Sequence, residues 1–147
     1  MPDIQRHASA TWNGDLQSGT GKASTESGAL RDATITYPSR FEEGTGSNPE
    51  ELIAAAHAAC FSMALSGGLS RQGHPPQEIR TRATLTLRRG ASGFEIAAIH
   101  LDTEGRVAGI DQAAFREAAE AAKENCPVSR LLKPGLGELT LDARLVS

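Results

Sequence analysis

The sequence has few cysteines, few aromatic residues and no excess of one charge. Its 147 residues include two cysteines, 4% aromatic residues and 15 basic against 18 acidic residues, for a net charge of −3 at pH 7. Such a charge balance argues against a nucleic-acid-binding protein, which would carry a concentrated basic face. The sequence shows neither a basic start followed by an apolar segment nor an uncharged apolar run of 18 residues, so we expect no secretion signal and no membrane span.

Several cofactor-binding patterns are also missing. There is no glycine-rich dinucleotide fingerprint and no phosphate-binding loop, which excludes the common nicotinamide and nucleoside-triphosphate enzymes. Cys60 and Cys126 are 66 residues apart and match no zinc or thioredoxin-like spacing, so we expect no metal centre and no bound cofactor. With no export signal, the two thiols are expected to be reduced and the protein cytoplasmic.

The hydrophobic pattern predicts one α+β domain over residues 1–147. We expect a hairpin over 4–25, a short strand around 35–37, a paired set of strands over 79–88 and 94–103, a helix from about 111 to 125, a further helical turn over 128–133 and a final strand over 138–146. The segment 38–48 is expected to be a loop. Alternating arginines on the 79–88 strand, among them Arg80, Arg82 and Arg88, predict a solvated sheet face.

A long apolar helix is predicted over residues 49–71. Asn48 is a good N-cap, Pro49 suits the first helical position, and Glu50 and Glu51 complement the positive end of the helix dipole. Nearly every face of this helix is small or apolar, apart from His57. A surface helix would carry a polar stripe, so we expect a central, buried helix.

The two cysteines have different predicted settings. Cys60 lies about three turns inside the helix, where burial raises a thiol pKa, and an active Cys60 therefore needs a cation from elsewhere in the chain. Cys126 lies directly before Pro127 at a helix start, where free backbone N–H groups lower a thiol pKa. By this argument Cys126 would be the more acidic thiol. Two inert, buried cysteines are the simpler alternative.

Three further side chains could act with Cys60. His57 lies three residues earlier on roughly the same helix face, so a Cys–His nucleophile–base pair of an acyl hydrolase is conceivable, although a packed, hydrogen-bonded histidine is more common there. Arg40 lies in the predicted loop before the helix and could supply the missing cation. Glu50 could hold its guanidinium in a bidentate pair.

The chain resembles the OsmC/Ohr family of organic hydroperoxide peroxidases. The resemblance rests on the helix Asn48-Pro-Glu-Glu-Leu-Ile through His57-Ala-Ala-Cys60 to Leu65, and on the later Cys126-Pro-Val-Ser129 motif. It continues through Trp12-Asn-Gly-Asp15 and spans nearly the whole chain. The match is closer to the OsmC branch, because the early hairpin lacks the arginine of Ohr-type members and Arg40 stands before the signature helix instead.

This resemblance implies a fold, a chemistry and a set of roles. The implied fold has antiparallel sheets wrapped around two central helices in an intertwined homodimer, with active sites at the subunit interface. Cys60 would be the peroxidatic cysteine, Arg40 and Glu50 would activate it, and Cys126 would resolve it through a Cys60–Cys126 disulfide. The implied partners are an organic hydroperoxide and an external dithiol reductant. The alternative is a non-catalytic stress or ligand-binding protein on the same fold.

Overall fold

The structure is a computed structural model that describes residues 1–147, in two compact units of residues 1–52 and 53–147. The elements of the first unit are β1 (Ala8–Asn13), β2 (Thr20–Thr25), β3 (Ala33–Thr36) and α1 (Tyr37–Phe41). The unit boundary falls within α2 (Pro49–Arg71). The second unit continues with β4 (Glu78–Gly90), β5 (Gly93–Arg106), α3 (Gln112–Asn125), α4 (Pro127–Leu132), a 3-10 turn (Lys133–Gly135) and β6 (Glu138–Val146).

The first unit is a three-stranded antiparallel sheet in the order β1-β2-β3, followed by a short helix. The hairpin expectation is confirmed, whereas the expectation of a loop from residue 38 is wrong for α1. Thr36 and Ser39 form a reciprocal capping box, and Pro38 lies in the first turn, where it needs no amide partner. The same Ser39 hydroxyl donates to the Ser47 carbonyl at 2.7 Å, which ties the following loop to α1.

The second unit contains the sheet β4-β5-β6. β4 and β5 form the expected hairpin, but β5 and β6 are parallel, so the expectation of purely antiparallel sheets is wrong at this pair. The physical reason is the connection: α3 and α4 carry the chain back across the sheet before β6 begins, and only such a crossover can join parallel neighbours. Arg80, Arg82 and Arg88 are exposed on the outer face, as predicted for a solvated face.

The core of the second unit lies between the inner face of the sheet and the helices α2 and α3. Asp111 caps α3 through a bond from the Ala114 amide, as its position before the apolar stripe predicts. The core residues that are at most 7% exposed come from α2, β5 and its end, α3 and the α3–α4 junction: Phe61, Leu65, Leu69, Ile99, Leu101, Val107, Phe115, Ala118, Ala119, Ala122 and Cys126. The predicted α3 stripe is therefore confirmed.

Helix α2 is buried along one stripe only within a single chain. His57, Phe61, Leu65 and Leu69 are fully buried, whereas Met63 is 75% exposed. By length and composition alone, α2 is long and apolar enough to cross a membrane. Core helices of globular proteins meet the same criterion. In the single chain, 22% of an apolar 18-residue window of α2 is buried. The expectation of a helix buried on nearly every face is thus wrong for the isolated chain. Its open face is small and apolar.

Candidate active site

The structure brings the two cysteines together. Cys60 lies near the middle of α2, and Cys126 is the residue that both ends α3 and begins α4. Both thiols are free, and their side chains are within hydrogen-bonding reach of each other. Two residues far apart in sequence therefore form one thiol pair at the packing contact between a helix and a helix–helix junction.

The Cys60 thiol has its pKa raised. Burial is the largest cause, because it removes water from the thiolate, and the neighbouring Cys126 thiol raises the pKa further. The backbone N–H of Val128 donates to Cys60 and acts in the opposite direction. Without a cation nearby, Cys60 is consequently protonated at neutral pH, as its depth in the helix predicts.

The amide contact that the sequence analysis expected at the Cys126 thiol is absent. Cys126 is the N-cap of α4 but makes no side-chain capping bond, and it is fully buried. The free amide near the start of α4, that of Val128, points instead at Cys60, which is only partly buried. The accessible thiol and the thiol that receives the N–H donation are therefore the same residue, Cys60.

His57 is not paired with Cys60. Its Nε2 lies 2.7 Å from the Ser129 hydroxyl, and both residues are buried, at 0% and 1% exposure. Its Nδ1 is buried without a hydrogen-bond partner, and desolvation lowers the pKa of the ring. No group orients the imidazole toward a thiol, so the structure does not contain the hydrolase pair that the spacing allowed. The packed, hydrogen-bonded histidine is the alternative that the structure confirms.

Arg40 and Glu50 form a bidentate ion pair in the first unit. Arg40 Nη2 donates to Glu50 Oε1 at 2.8 Å, and Arg40 Nε lies 3.1 and 3.2 Å from the two carboxylate oxygens. The carboxylate is the more buried partner, with side-chain exposures of 35% for Arg40 and 10% for Glu50. Two parallel bonds fix the plane of the guanidinium, which is the pairing that the sequence suggested. α1 presents the arginine, and the first turn of α2 presents the carboxylate.

An apolar cavity of about 500 Å³ opens beside Arg40 in the first unit. Its walls include Trp12, Leu16, Tyr37 and Phe41. Ligand sites in proteins are typically of this size and character, mostly apolar with a few placed polar groups. A second cavity of about 570 Å³ is lined by Arg6, His7, Ala8, Thr25, Glu26 and Ser27, none of which is a large aliphatic residue, Phe, Tyr or Trp.

Sequence reasoning missed two residues of the thiol site, Val128 and Ser129. Both lie in the motif that begins at Cys126, so this motif was the feature of the sequence that could have indicated them. The hydrophobic pattern of the sequence does not show that the Val128 amide or the Ser129 hydroxyl faces α2. No group of three or more His, Cys, Asp or Glu side chains in the chain could hold a metal ion. The site is thus built from two thiols, one amide, and one histidine–serine pair.

Comparison with known proteins identifies relatives of the whole chain. Residues 42–137 match the family model described as OsmC-like protein. The chain is 46% identical over 144 residues to peroxiredoxin OsmC of Escherichia coli K12, which covers 98% of this chain and 99% of the relative. It is 34% identical over 113 residues to the organic hydroperoxide resistance protein OhrB of Bacillus subtilis, covering 75% and 79% of the two chains.

Solved structures show the same fold. The crystal structure of OhrB of Bacillus subtilis superposes with a TM-score of 0.74 at 27% identity, covering 93% of this chain and 97% of that one. The organic hydroperoxide resistance protein OsmC of Legionella pneumophila superposes with a TM-score of 0.74 at 23% identity, covering 98% and 100%. The α+β architecture is therefore that of the solved OsmC and Ohr proteins.

The depressed pKa of His57 predicts a loss of stability in mild acid. The unfolded histidine binds a proton near pH 6.5 whereas the buried ring does not, so its contribution is complete above that pH and is lost as the pH falls. The free energy of unfolding should fall by up to about 1.4 kcal/mol per pH unit from this group. Urea unfolding at pH 7.5 and 5.5 measures it.

The controls for this measurement are two glutamine variants. In His57→Gln the difference between the two pH values should shrink by the histidine contribution, while in His7→Gln, at an exposed position, it should stay as in the wild type. An equal pH dependence in the wild type and His57→Gln would contradict the assignment of a buried neutral ring.

Proposed function

The chain belongs to the OsmC-like family, and from that premise we propose that it is a thiol-dependent peroxidase that reduces organic hydroperoxides to alcohols. The observation that carries the proposal is the paired arrangement of a partly exposed Cys60 and a fully buried Cys126. A peroxidatic cysteine has to meet its substrate, whereas a resolving cysteine has only to meet the oxidised thiol. The names of the relatives, peroxiredoxin and organic hydroperoxide resistance protein, support the same chemistry.

The proposed cycle has three balanced steps. The Cys60 thiolate attacks the terminal oxygen of the hydroperoxide, the O–O bond breaks, and the alkoxide takes a proton and leaves as the alcohol, with Cys60 as a sulfenic acid. The Cys126 thiol then condenses with the sulfenic acid to give a disulfide and water. An external dithiol reduces the disulfide by thiol exchange and is itself oxidised to a disulfide.

Arg40 is the proposed source of the cation that Cys60 requires. Burial raises the Cys60 pKa, so reaction at neutral pH needs a positive charge to stabilise the thiolate. Arg40 carries a guanidinium, and the bidentate bond to Glu50 holds this group in a defined plane. We assign Arg40 the role of stabilising the thiolate and Glu50 the role of orienting Arg40.

The cavity beside Arg40 is the proposed binding site for the alkyl group of the substrate. Its apolar walls favour a hydroperoxide with a large organic group over hydrogen peroxide, because buried apolar surface adds roughly 25 cal/mol per Å² of binding free energy. The proposed setting is oxidative and osmotic stress defence in the cytoplasm, where cellular dithiols can recycle the enzyme without a prosthetic group. Residues 1–147 act as one OsmC-like domain in this proposal.

A homodimer is part of the proposal, supported by the open face of α2. Ala55, Ala56, Ala59 and Met63 lie on this face at helical spacing, and all four are exposed in the single chain. Small residues permit a close approach of two helices, and a symmetric dimer would bury the apolar surface of both copies. Cys60 lies at the border of this face, which fits an active site completed at a subunit interface.

Substitution of the cysteines tests the cycle. Cys60→Ser should reduce organic hydroperoxide consumption by at least about 1,000-fold, because no second thiol can start the reaction. Cys126→Ser should consume about one equivalent of peroxide per chain and then stop, with the sulfenic acid at Cys60 trapped by dimedone. Mass spectrometry of the labelled peptide identifies the site. Full peroxide consumption by Cys60→Ser would contradict the proposed function.

Substitution of Arg40 tests the activation of the thiol. In a Cys126→Ser background, Arg40→Gln should raise the Cys60 pKa and lower its alkylation rate at pH 7 about tenfold for each unit of pKa, because the thiolate is the reactive form. The pH dependence of iodoacetamide labelling measures this pKa. Arg31→Gln, at an exposed arginine of the same unit, should leave it unchanged. An unaltered Cys60 pKa in Arg40→Gln would remove Arg40 from the mechanism.

A charge placed on the open face of α2 tests the dimer. Sedimentation equilibrium should give twice the chain mass for the wild type at micromolar concentration. Met63→Glu should weaken association at least about 100-fold, since it buries an unpaired carboxylate while keeping a side chain that favours helix. Thr86→Glu on the outer sheet face is the control and should stay dimeric. A monomeric wild type would refute this part of the proposal.

A further inference from the structure

A second contact joins the two cysteine segments one helical turn away from the thiols. His57 precedes Cys60 by three residues on α2, and Ser129 follows Cys126 by three residues on α4. The His57 ring and the Ser129 hydroxyl are 2.7 Å apart. Cys60 therefore faces Cys126, and His57, one turn earlier on α2, faces Ser129, one turn later on α4. The hydrogen bond thus lies one helical turn from the thiol pair.

This hydrogen bond is fully removed from water. His57 is 0% exposed and Ser129 is 1% exposed. Ser129 is the only hydrogen-bond partner of the ring, because Nδ1 has none. Separation of the two groups inside the protein would leave a buried polar group with no partner, which costs far more than the loss of an exposed bond. The pair consequently holds its two segments together.

Helix α4 needs such an anchor. It has six residues, fewer than a helix requires to be stable by itself, and Pro127 separates it from α3. The backbone bonds on either side of Cys126 are local: its N–H donates to Ala122, and its carbonyl accepts from Arg130. These bonds set the shape of the junction but do not reach α2, so α4 is joined to α2 by the Val128 amide at Cys60 and by the His57–Ser129 bond.

We infer that His57 and Ser129 are positioning residues that keep the Cys126 thiol beside Cys60 before the disulfide forms. The inference rests on the proposed function, in which the Cys126 thiol attacks the Cys60 sulfenic acid, the S–S bond forms, the S–O bond breaks and water leaves. A thiol held in place reacts at a higher effective concentration than one on a mobile segment. In the oxidised form the disulfide holds the two segments in the arrangement that the hydrogen bond also requires, so by linkage the hydrogen bond favours formation of the disulfide.

The disulfide equilibrium in glutathione buffers tests the inference without peroxide. Ser129→Ala and His57→Leu should each lower the equilibrium constant for forming the Cys60–Cys126 disulfide about tenfold, which is about 30 mV for this two-electron couple. His57→Gln, whose amide can reach the Ser129 hydroxyl, should restore most of the wild-type value. A merely structural role would destabilise the reduced and oxidised forms alike and leave the potential unchanged.

A matched control uses the other histidine–hydroxyl pair of the chain. His100 Nδ1 lies 2.6 Å from the Thr140 hydroxyl on the outer face of the sheet, so Thr140→Val removes a histidine–hydroxyl bond of similar length, only part-buried and remote from the thiols, and should leave the potential unchanged. Wild-type potentials in both Ser129→Ala and His57→Leu would overturn the inference. So would a shift in Thr140→Val as large as that in Ser129→Ala.

Single-turnover kinetics separate this inference from the proposed function. With one equivalent of cumene hydroperoxide, Ser129→Ala should form the sulfenic acid at the wild-type rate and convert it to the disulfide about tenfold more slowly. Conversion at the wild-type rate would refute the positioning role and leave the peroxidase standing. A wild-type Cys60 that peroxide does not oxidise would refute the peroxidase, while the glutathione equilibrium would still decide whether the two residues position the thiols.

Discussion

The contact between one turn of α2 and the α3–α4 junction is the interaction on which the site depends. It places Cys60 beside Cys126 and directs the Val128 amide to the outer of the two thiols. Neither element could do this alone. Helix α4 is too short to be stable by itself, and Cys60 lies in the middle of α2, where the helix has no free backbone amide to donate to the thiol. The sheet and α3 support the contact by fixing the core beneath it.

The burial that creates the thiol pair also opposes its reactivity. A desolvated Cys60 holds its proton, so the arrangement is productive only with a cation beside it. The chain contains a rigid candidate in Arg40, fixed by Glu50 and set against an apolar cavity. The second unit thus carries the two thiols, and the first carries a charged side chain and an apolar cavity.

Much of the fold follows from local sequence. Asn48 and Asp111 mark the helix starts because their side chains accept from backbone amides, and alternation locates the strands. Three features do not follow from it. The parallel pairing of β6 depends on the crossover through α3 and α4. Which face of α2 is exposed depends on the elements that pack against this helix. The Val128 amide faces Cys60 only because α4 packs on α2. The helix-end argument expected amide donation to Cys126, whereas the Val128 amide acts on Cys60, because a free amide donates to the group that packs against it.

The central claim is that Cys60 and Cys126 act as a peroxide-reducing pair. Intact mass spectrometry with thiol titration, after one equivalent of cumene hydroperoxide or of hydrogen peroxide, tests it most directly. The account predicts rapid loss of both thiols and a mass lower by about two units with the organic peroxide, and a slower reaction with hydrogen peroxide. Survival of both thiols in the folded protein under both oxidants would contradict it and would identify an inert pair in a non-catalytic protein.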